Sequence, residues 1–174
     1  MKSLFFLIIF FFFSQNVQAV NKTVYIDIQY IIDNSKLGKF YKSKIKIIQD
    51  KNDLELTTTE KKIKKKENEI NNQKNILSEE ELNNKLKEIN VMFTEYQKKR
   101  RKLKLDLSGQ KKNYSKKILK ILNPLLTNYV DKNNIELVIE KKNIVVGSKT
   151  LDITNSILEI LNKETENKNL MKDE

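Results

Sequence analysis

Few side chains in this sequence could carry out chemistry, because it contains neither cysteine nor histidine. The missing thiols exclude disulfides, iron–sulfur clusters and cysteine nucleophiles. The missing imidazoles remove the usual general base near neutral pH, and a zinc site built only from carboxylates is rare. The sequence also lacks a glycine-rich phosphate loop and the GxSxG and HExxH motifs. We therefore expect no enzyme activity, no cofactor and no metal site.

Two carboxylates flanked by apolar residues, Asp27 and Asp152, are the remaining candidates for acid–base chemistry. Each has a commoner structural explanation than catalysis. We expect Asp27 to be a polar residue on one face of a strand and Asp152 to cap a helix.

The basic residues indicate an acidic partner. Lys and Arg number 34 against 23 Asp and Glu, and the formal net charge is +11. Basic runs occupy 61–66, 98–102 and 111–112. Their field would attract nucleic acid, anionic lipid or an acidic unfolded chain, although a solvated, lysine-rich helix surface explains them equally well. Only Arg100 and Arg101 are arginines, so we do not expect specific nucleic-acid recognition.

The first 19 residues have the pattern of a secretory signal peptide. Lys2 precedes ten apolar residues at 4–13, and Val17-Gln18-Ala19 ends the segment. Ten residues are too few to span a bilayer, which takes about 20. We expect cleavage after Ala19 and export from the cytosol; an uncleaved anchor or a buried N-terminal helix is the alternative.

Strand patterns lie near both ends of the remaining chain. Residues 24–32 alternate, with Val24, Ile26, Ile28 and Tyr30 on one side. Residues 135–140 and 144–146 predict a β-hairpin. Asp152 and Thr154 precede a short amphipathic helix, and residues 163–174 predict a flexible tail.

Residues 35–123 predict long helices, since they contain no proline and glycine only at positions 38 and 109. An apolar seam with alternating four- and three-residue spacing runs along the second half. Its members are Leu82, Leu86, Ile89, Phe93, Tyr96, Arg100, Leu103, Leu107, Gln110, Tyr114, Lys117 and Ile121. The first half has a weaker seam of Tyr41, Ile45, Ile48, Leu56, Ile63, Ile70 and Leu77, diluted by Asn52, Thr59 and Lys66.

A capping box divides this region into two helices. The Ser78 side chain can accept the Glu81 N–H, while the Glu81 carboxylate reaches back to the Ser78 N–H. We expect arms at 37–77 and 79–122, a tip near 77–79, and Pro124 to end or kink the second arm. Arms of similar length predict an antiparallel hairpin; a single helix through Ser78 in a long parallel coiled coil is the alternative.

The predicted fold is therefore α+β. A helical hairpin at 35–123 would project from a small β-rich body formed by 20–34 and 124–162. Three strands are few for an independently stable sheet, so we expect the body to oligomerise. The residues expected to hold the copies together are Val24, Ile26, Ile28, Leu137, Ile139, Val145, Ile153 and Ile157.

Several segments taken together resemble the Skp/OmpH family of periplasmic chaperones for outer-membrane proteins. They are Ile26-Asp27-Ile28-Gln29 with Ile32, Ser35 and Gly38-Lys39, the tip segment from Leu77 to Leu82, the strand at 135–140, Ile144 to Gly147, and Leu151-Asp152-Ile153-Thr154. The resemblance covers most of the chain after the signal peptide.

The resemblance implies a homotrimer whose arms enclose an unfolded outer-membrane protein without using ATP. It also implies lipopolysaccharide binding in some members, so anionic lipid stays open as a partner. We expect client contacts where rings adjoin a basic run, at Phe93, Tyr96, Lys98, Lys99, Arg100, Arg101 and Lys102. A tethering coiled coil of the cell envelope and a basic nucleic-acid-binding protein are the alternative functions.

Overall fold

The computed structural model describes residues 22–172, and helices dominate them. The predicted signal peptide and its cleavage site lie outside these residues. The elements are β1 (Thr23–Ile26), α1 (Ile28–Asn34), α2 (Lys36–Gln73), α3 (Glu79–Lys132), β2 (Leu137–Glu140) and α4 (Thr154–Asn167), with 3₁₀ turns at Lys141–Asn143 and Lys149–Leu151. Within the described residues, every helix is too short or too polar to cross a membrane.

The predicted helical hairpin and the α+β class are confirmed. Helices α2 and α3 pack antiparallel and together form the arm. The capping box is present: the Glu81 N–H donates to the Ser78 Oγ at 3.3 Å, and the Ser78 N–H donates to the Glu81 carboxylate at 3.0 Å. Ser78 therefore starts a new helix, which excludes one continuous helix through the tip. Helix α2 ends at Gln73, four residues earlier than expected, and a turn fills the gap.

Among the residues that the structure describes, the body contains two strands in place of the predicted three. Strands β1 and β2 pair in parallel, with Thr23 opposite Leu137 and Ile26 opposite Glu140. On the other edge of β1, the Ile153 N–H donates to the Tyr25 carbonyl at 3.0 Å. The predicted strand at 144–146 was wrong. Val145 and Val146 are 99% and 89% exposed and have no strand partner among residues 22–172.

The predicted strand at 24–32 stops at Ile26. The Asp27 carboxylate accepts the Tyr30 N–H at 2.8 Å, and this cap starts α1. Asp27 is thus a helix cap and not a residue on a strand face. Ile28, Ile31 and Ile32 also satisfy helical spacing, and packing against the core selects it, since Ile31 is fully buried.

Two predicted element ends near the C-terminus were also wrong. The second arm was expected to end at 122, but α3 continues to Lys132 and contains Pro124, so the proline does not end the helix. Leu122, Leu125 and Leu126 pack in or against the core on both sides of the proline, and this packing offsets its missing N–H. Helix α4 extends to Asn167, so residues 163–167 are helical and not tail. Thr165 is fully buried, and its hydroxyl donates to the Leu161 carbonyl at 2.7 Å.

One hydrophobic core joins the base of the arm to the body. Its buried members are Val24, Ile26, Ile31, Leu37, Ile118, Leu122, Ile135, Ile153, Ile157 and Leu161. They come from every helix, from β1 and, for Ile135 and Ile153, from connecting segments, so the arm is anchored in the body at its base. Beyond the base, α2 and α3 pack only against each other within the described chain.

Candidate functional site

The inner face of α2 follows the predicted seam, including the polar positions that dilute it. Ile45, Ile63 and Ile70 are buried, and Asn52, Thr59 and Lys66 are half-buried against α3. The seam predicted on α2 is the weaker of the two in the sequence, but it predicts the contact between the helices more accurately than the seam predicted on α3.

On α3, four of the twelve predicted seam residues are exposed, and Gln110 is one of them. Leu82, Ile89, Tyr96, Leu103 and Leu107 are half-buried against α2, as expected. Leu86, Phe93 and Arg100 are exposed, and the preceding residues Lys85, Met92 and Lys99 are half-buried in their place. A straight helix drifts about 20° per heptad from a strict seven-residue repeat, so two packed helices need not follow the repeat.

Ion pairs between the helices occupy one side of the arm. Lys66 of α2 pairs with Glu88 of α3, and Glu55 of α2 pairs with Lys99 of α3. The hydrogen bond from Lys66 holds the pKa of Glu88 below its usual value. We call this side the ion-paired flank. Lys66, Glu88, Glu55 and Lys99 are therefore charge-compensated on this flank.

The opposite side of the arm carries exposed apolar groups. Leu86, Phe93 and Arg100 are spaced by seven residues and lie on the side of α3 away from Glu88 and Lys99. The exposed fractions are 44% for Leu86 and 51% for Phe93. We call this side the open flank. On the open flank, Leu86 and Phe93 therefore present apolar surface to solvent.

The residues predicted to bind a client divide between surface and seam. Phe93, Lys98, Arg100, Arg101 and Lys102 are exposed. Tyr96 is half-buried between the helices, and Lys99 is engaged with Glu55. The basic runs are also partly compensated, because Lys98 pairs with Glu95 at 2.9 Å and Lys65 with Glu69 at 3.8 Å. Surface placement alone does not test client binding, so this set stays a prediction.

The residues predicted to join copies of the chain divide in a similar way. Val24, Ile26, Ile153 and Ile157 are buried in the core of the single chain. Ile28 and Ile139 are half-buried. Leu137, at 52%, and Val145, at 99%, are exposed on β2 and on the loop that follows it. Sequence reasoning left Val146 out of the set, although it adjoins Val145 and is almost as exposed.

Asp27 and Asp152 form a polar cluster that ties the body together. The Thr154 hydroxyl accepts the Asp27 N–H at 2.9 Å, and the Asp152 carboxylate accepts the Thr154 N–H at 3.0 Å. The Lys141 ammonium lies 3.5 Å from the Asp152 carboxylate and 4.0 Å from that of Asp27.

The protonation of Asp152 reflects these contacts. Burial raises the pKa of Asp152, but the hydrogen bonds from Thr154 and the nearby Lys141 outweigh burial and leave the pKa below its usual value. The carboxylates of Asp27 and Asp152 therefore accept backbone hydrogen bonds that stabilise the fold. No group of acidic residues within 22–172 has the arrangement of a metal site.

The comparisons with known proteins agree with this architecture. Residues 22–161 match the sequence family described as outer membrane protein (OmpH-like). The chain also resembles the crystal structure of a protein from Caulobacter crescentus CB15 described as a candidate outer membrane chaperone (OmpH-like). The TM-score is 0.74 at 13% identity, over 84% of this chain and 86% of that one. The comparison with curated proteins found no match. Because the family match spans most of its length, the chain belongs to the OmpH-like outer membrane protein family.

Proposed function

We propose that this protein is an ATP-independent periplasmic holdase that binds unfolded outer-membrane proteins and prevents their aggregation. The observation that carries the proposal is the open flank, where a long arm exposes Leu86 and Phe93 beside basic side chains. Exposed apolar groups within a charged surface offer weak contacts to any unfolded chain. Membership of the OmpH-like family and the fold shared with an OmpH-like protein support the same function.

The client-binding residues in this proposal are Phe93, Lys98, Arg100, Arg101 and Lys102, with Leu86 added by its position on the open flank. Tyr96 and Lys99 stabilise the arm instead. The proposed assembly is a homotrimer joined through the outer edge of β2 and the loop that carries Val145 and Val146. That edge has no strand partner within the described chain, and an unpaired edge beside exposed valines favours pairing with another copy.

The test is the aggregation of a urea-denatured outer-membrane β-barrel when it is diluted into buffer without nucleotide. The chain from residue 20 onwards should suppress the light scattering. The double variant Leu86→Ser/Phe93→Ser should suppress it much less. The matched control is Ile47→Ser/Leu54→Ser, because these residues are 68% and 70% exposed but lie on the face of α2 away from α3.

Two results would count against the proposal. Unchanged scattering in the presence of the wild-type chain would exclude the holdase function. An equal loss in both double variants would show that the open flank is not the client surface. A tethering coiled coil of the envelope would give the first result.

A further inference from the structure

The base of the arm carries a concentration of positive charge that the linear sequence does not reveal. Residues 36–49 of α2 and 107–123 of α3 together contain ten lysines and no Asp or Glu. The antiparallel hairpin places these two stretches side by side, with the Tyr41 ring stacked on Tyr114 at a centroid distance of 4.2 Å. Lys36 pairs with Glu166 and Lys46 with Asp50, so the positive charge of the arm base is compensated only in part.

A cavity of about 550 Å³ opens at this point, which we call the arm-base pocket. Apolar side chains of α1, α2 and α3 line it, namely Ile32, Ile45 and Ile118. Tyr41 and Tyr114 contribute their stacked rings. The pocket therefore combines an apolar lining with a basic rim, which suits a ligand that is both apolar and anionic.

The basic rim consists of Lys42, Lys46 and Lys111. Lys46 lies 3.3 Å from Asp50, whereas neither Lys42 nor Lys111 has an ion-pair partner within residues 22–172. One acid, Asp33, also lines the pocket, and the Gln29 amide donates to it at 3.0 Å. Two ammonium groups thus stay available to an incoming anion. Lysine is a mobile point charge, so it tolerates carboxylates in many orientations.

We propose that the arm-base pocket binds an acidic segment of an unfolded polypeptide that also carries a large apolar side chain. The apolar group would occupy the isoleucine-lined floor, and the neighbouring carboxylates would pair with Lys42 and Lys111. This inference rests on the proposed holdase function and locates part of its client surface.

The position of the pocket favours a polypeptide. The pocket and Phe93 lie on the same side of the arm, and Tyr114 and Phe93 are separated by about 30 Å along α3 at the standard helical rise. An extended chain of about ten residues covers that distance. One client strand could therefore bind its acidic end at the base and an apolar side chain at the open flank.

The test uses a 14-residue unstructured peptide with Glu-Trp-Glu at one end. The protein contains no tryptophan, so Trp fluorescence reports the peptide alone. The variant Lys42→Gln/Lys111→Gln should bind the peptide roughly tenfold more weakly, because two charge contacts of partly exposed groups are lost. The matched control is Lys61→Gln/Lys62→Gln, an equal charge change at exposed positions of α2 far from the pocket; it should change affinity less than twofold.

A peptide with Lys in place of both Glu residues should not bind. Equal weakening in the two lysine variants, or equal affinity for the two peptides, would overturn the proposal. Binding of phosphatidylglycerol vesicles that depends on Lys42 and Lys111, without such dependence for the peptide, would assign the pocket to anionic lipid and would also overturn it. The holdase assay tests the two proposals separately. If the wild-type chain suppresses aggregation but gives any of these results, the holdase function stands and the proposed pocket is excluded.

Discussion

At the scale of single residues, Gly38 shows how closely the arm approaches the body. Ser35 separates α1 from α2, and its side chain accepts the Gly38 N–H at 3.0 Å in a buried corner. An ideal Cβ on Gly38 would lie 1.8 Å from the Ile32 carbonyl oxygen. Only glycine fits there, so this position sets how α2 leaves α1.

Gly38→Ala should lower the free energy of unfolding by about 1–3 kcal/mol, because the backbone must shift to admit the methyl group. Gly109→Ala is the matched control, since it also lies inside a helix but has no atom within 4 Å of its Cβ position. That change should raise stability by up to about 1 kcal/mol, because alanine favours helix. Urea unfolding would measure the stability of both variants. Similar changes in the two would contradict the close contact between Gly38 and the Ile32 carbonyl.

Asp152 predicts a pH dependence of stability. The pKa of its carboxyl is lowered in the folded chain, so its contribution is present above the unfolded pKa of about 3.9 and is lost as pH falls through the folded value. Asp152→Asn should therefore be less stable than wild type at pH 7, and the difference should shrink below about pH 4. Asp106→Asn, which removes an exposed carboxylate of α3, is the control. A constant difference across pH would exclude the proposed linkage.

At the scale of elements, the arm depends on a thin seam between two helices. Beyond the core, Ile45, Ile63 and Ile70 are the buried residues of α2, and exposed or half-buried residues separate them. A seam this sparse gives modest stability, so the arm can bend and open along its length more readily than the body.

Ile63→Ala should destabilise the arm by about 2–3 kcal/mol, through lost burial and a cavity between the helices. Leu54→Ala, at a residue 70% exposed on the same helix, should change stability by less than about 0.5 kcal/mol. Amide hydrogen exchange across the arm would show faster opening in the first variant alone. Equal exchange in both would mean that the helices do not pack through Ile63.

At the scale of the whole molecule, the two strands found in the described part of the chain form an incomplete sheet. There β2 has an unpaired outer edge, and Val145 and Val146 follow it with most of their surface exposed to solvent. Exposed strand edges and adjacent β-branched residues are liabilities that proteins cover. A second and third copy at this edge would cover them, and the proposed trimer would also bring three arms together.

Val145→Asp/Val146→Asp should dissociate the assembly without loss of helix, because both side chains are solvent-exposed in the single chain. The control Asn71→Asp/Asn72→Asp adds the same charge at exposed positions near the tip and should leave the assembly intact. Sedimentation velocity and circular dichroism would measure the two effects. A wild-type monomer, or dissociation by both variants, would contradict the proposed interface.

Local patterns accounted for the hairpin and its tip. The capping box at Ser78 depends on residues three positions apart, so it formed as expected. Longer-range effects account for the errors. Residues 28–32 adopted helix where alternation also allowed strand, and α3 continued through Pro124 because the core packs on both sides of it. Which face of α3 turns toward α2, and hence whether Phe93 is exposed, depended on how the two helices pack. The spacing of apolar residues within one helix does not specify that packing.

The sequence by itself determined the lack of thiol and imidazole chemistry, the positive charge, the two long helices and the turn between them, because composition and short-range spacing decide these properties. Only the tertiary structure decided which flank of the arm is ion-paired, which is open, and which lysine-rich stretches lie side by side at the base of the arm. The physical reason is that antiparallel packing places residues about 70 positions apart beside each other, as in the stacking of Tyr41 on Tyr114.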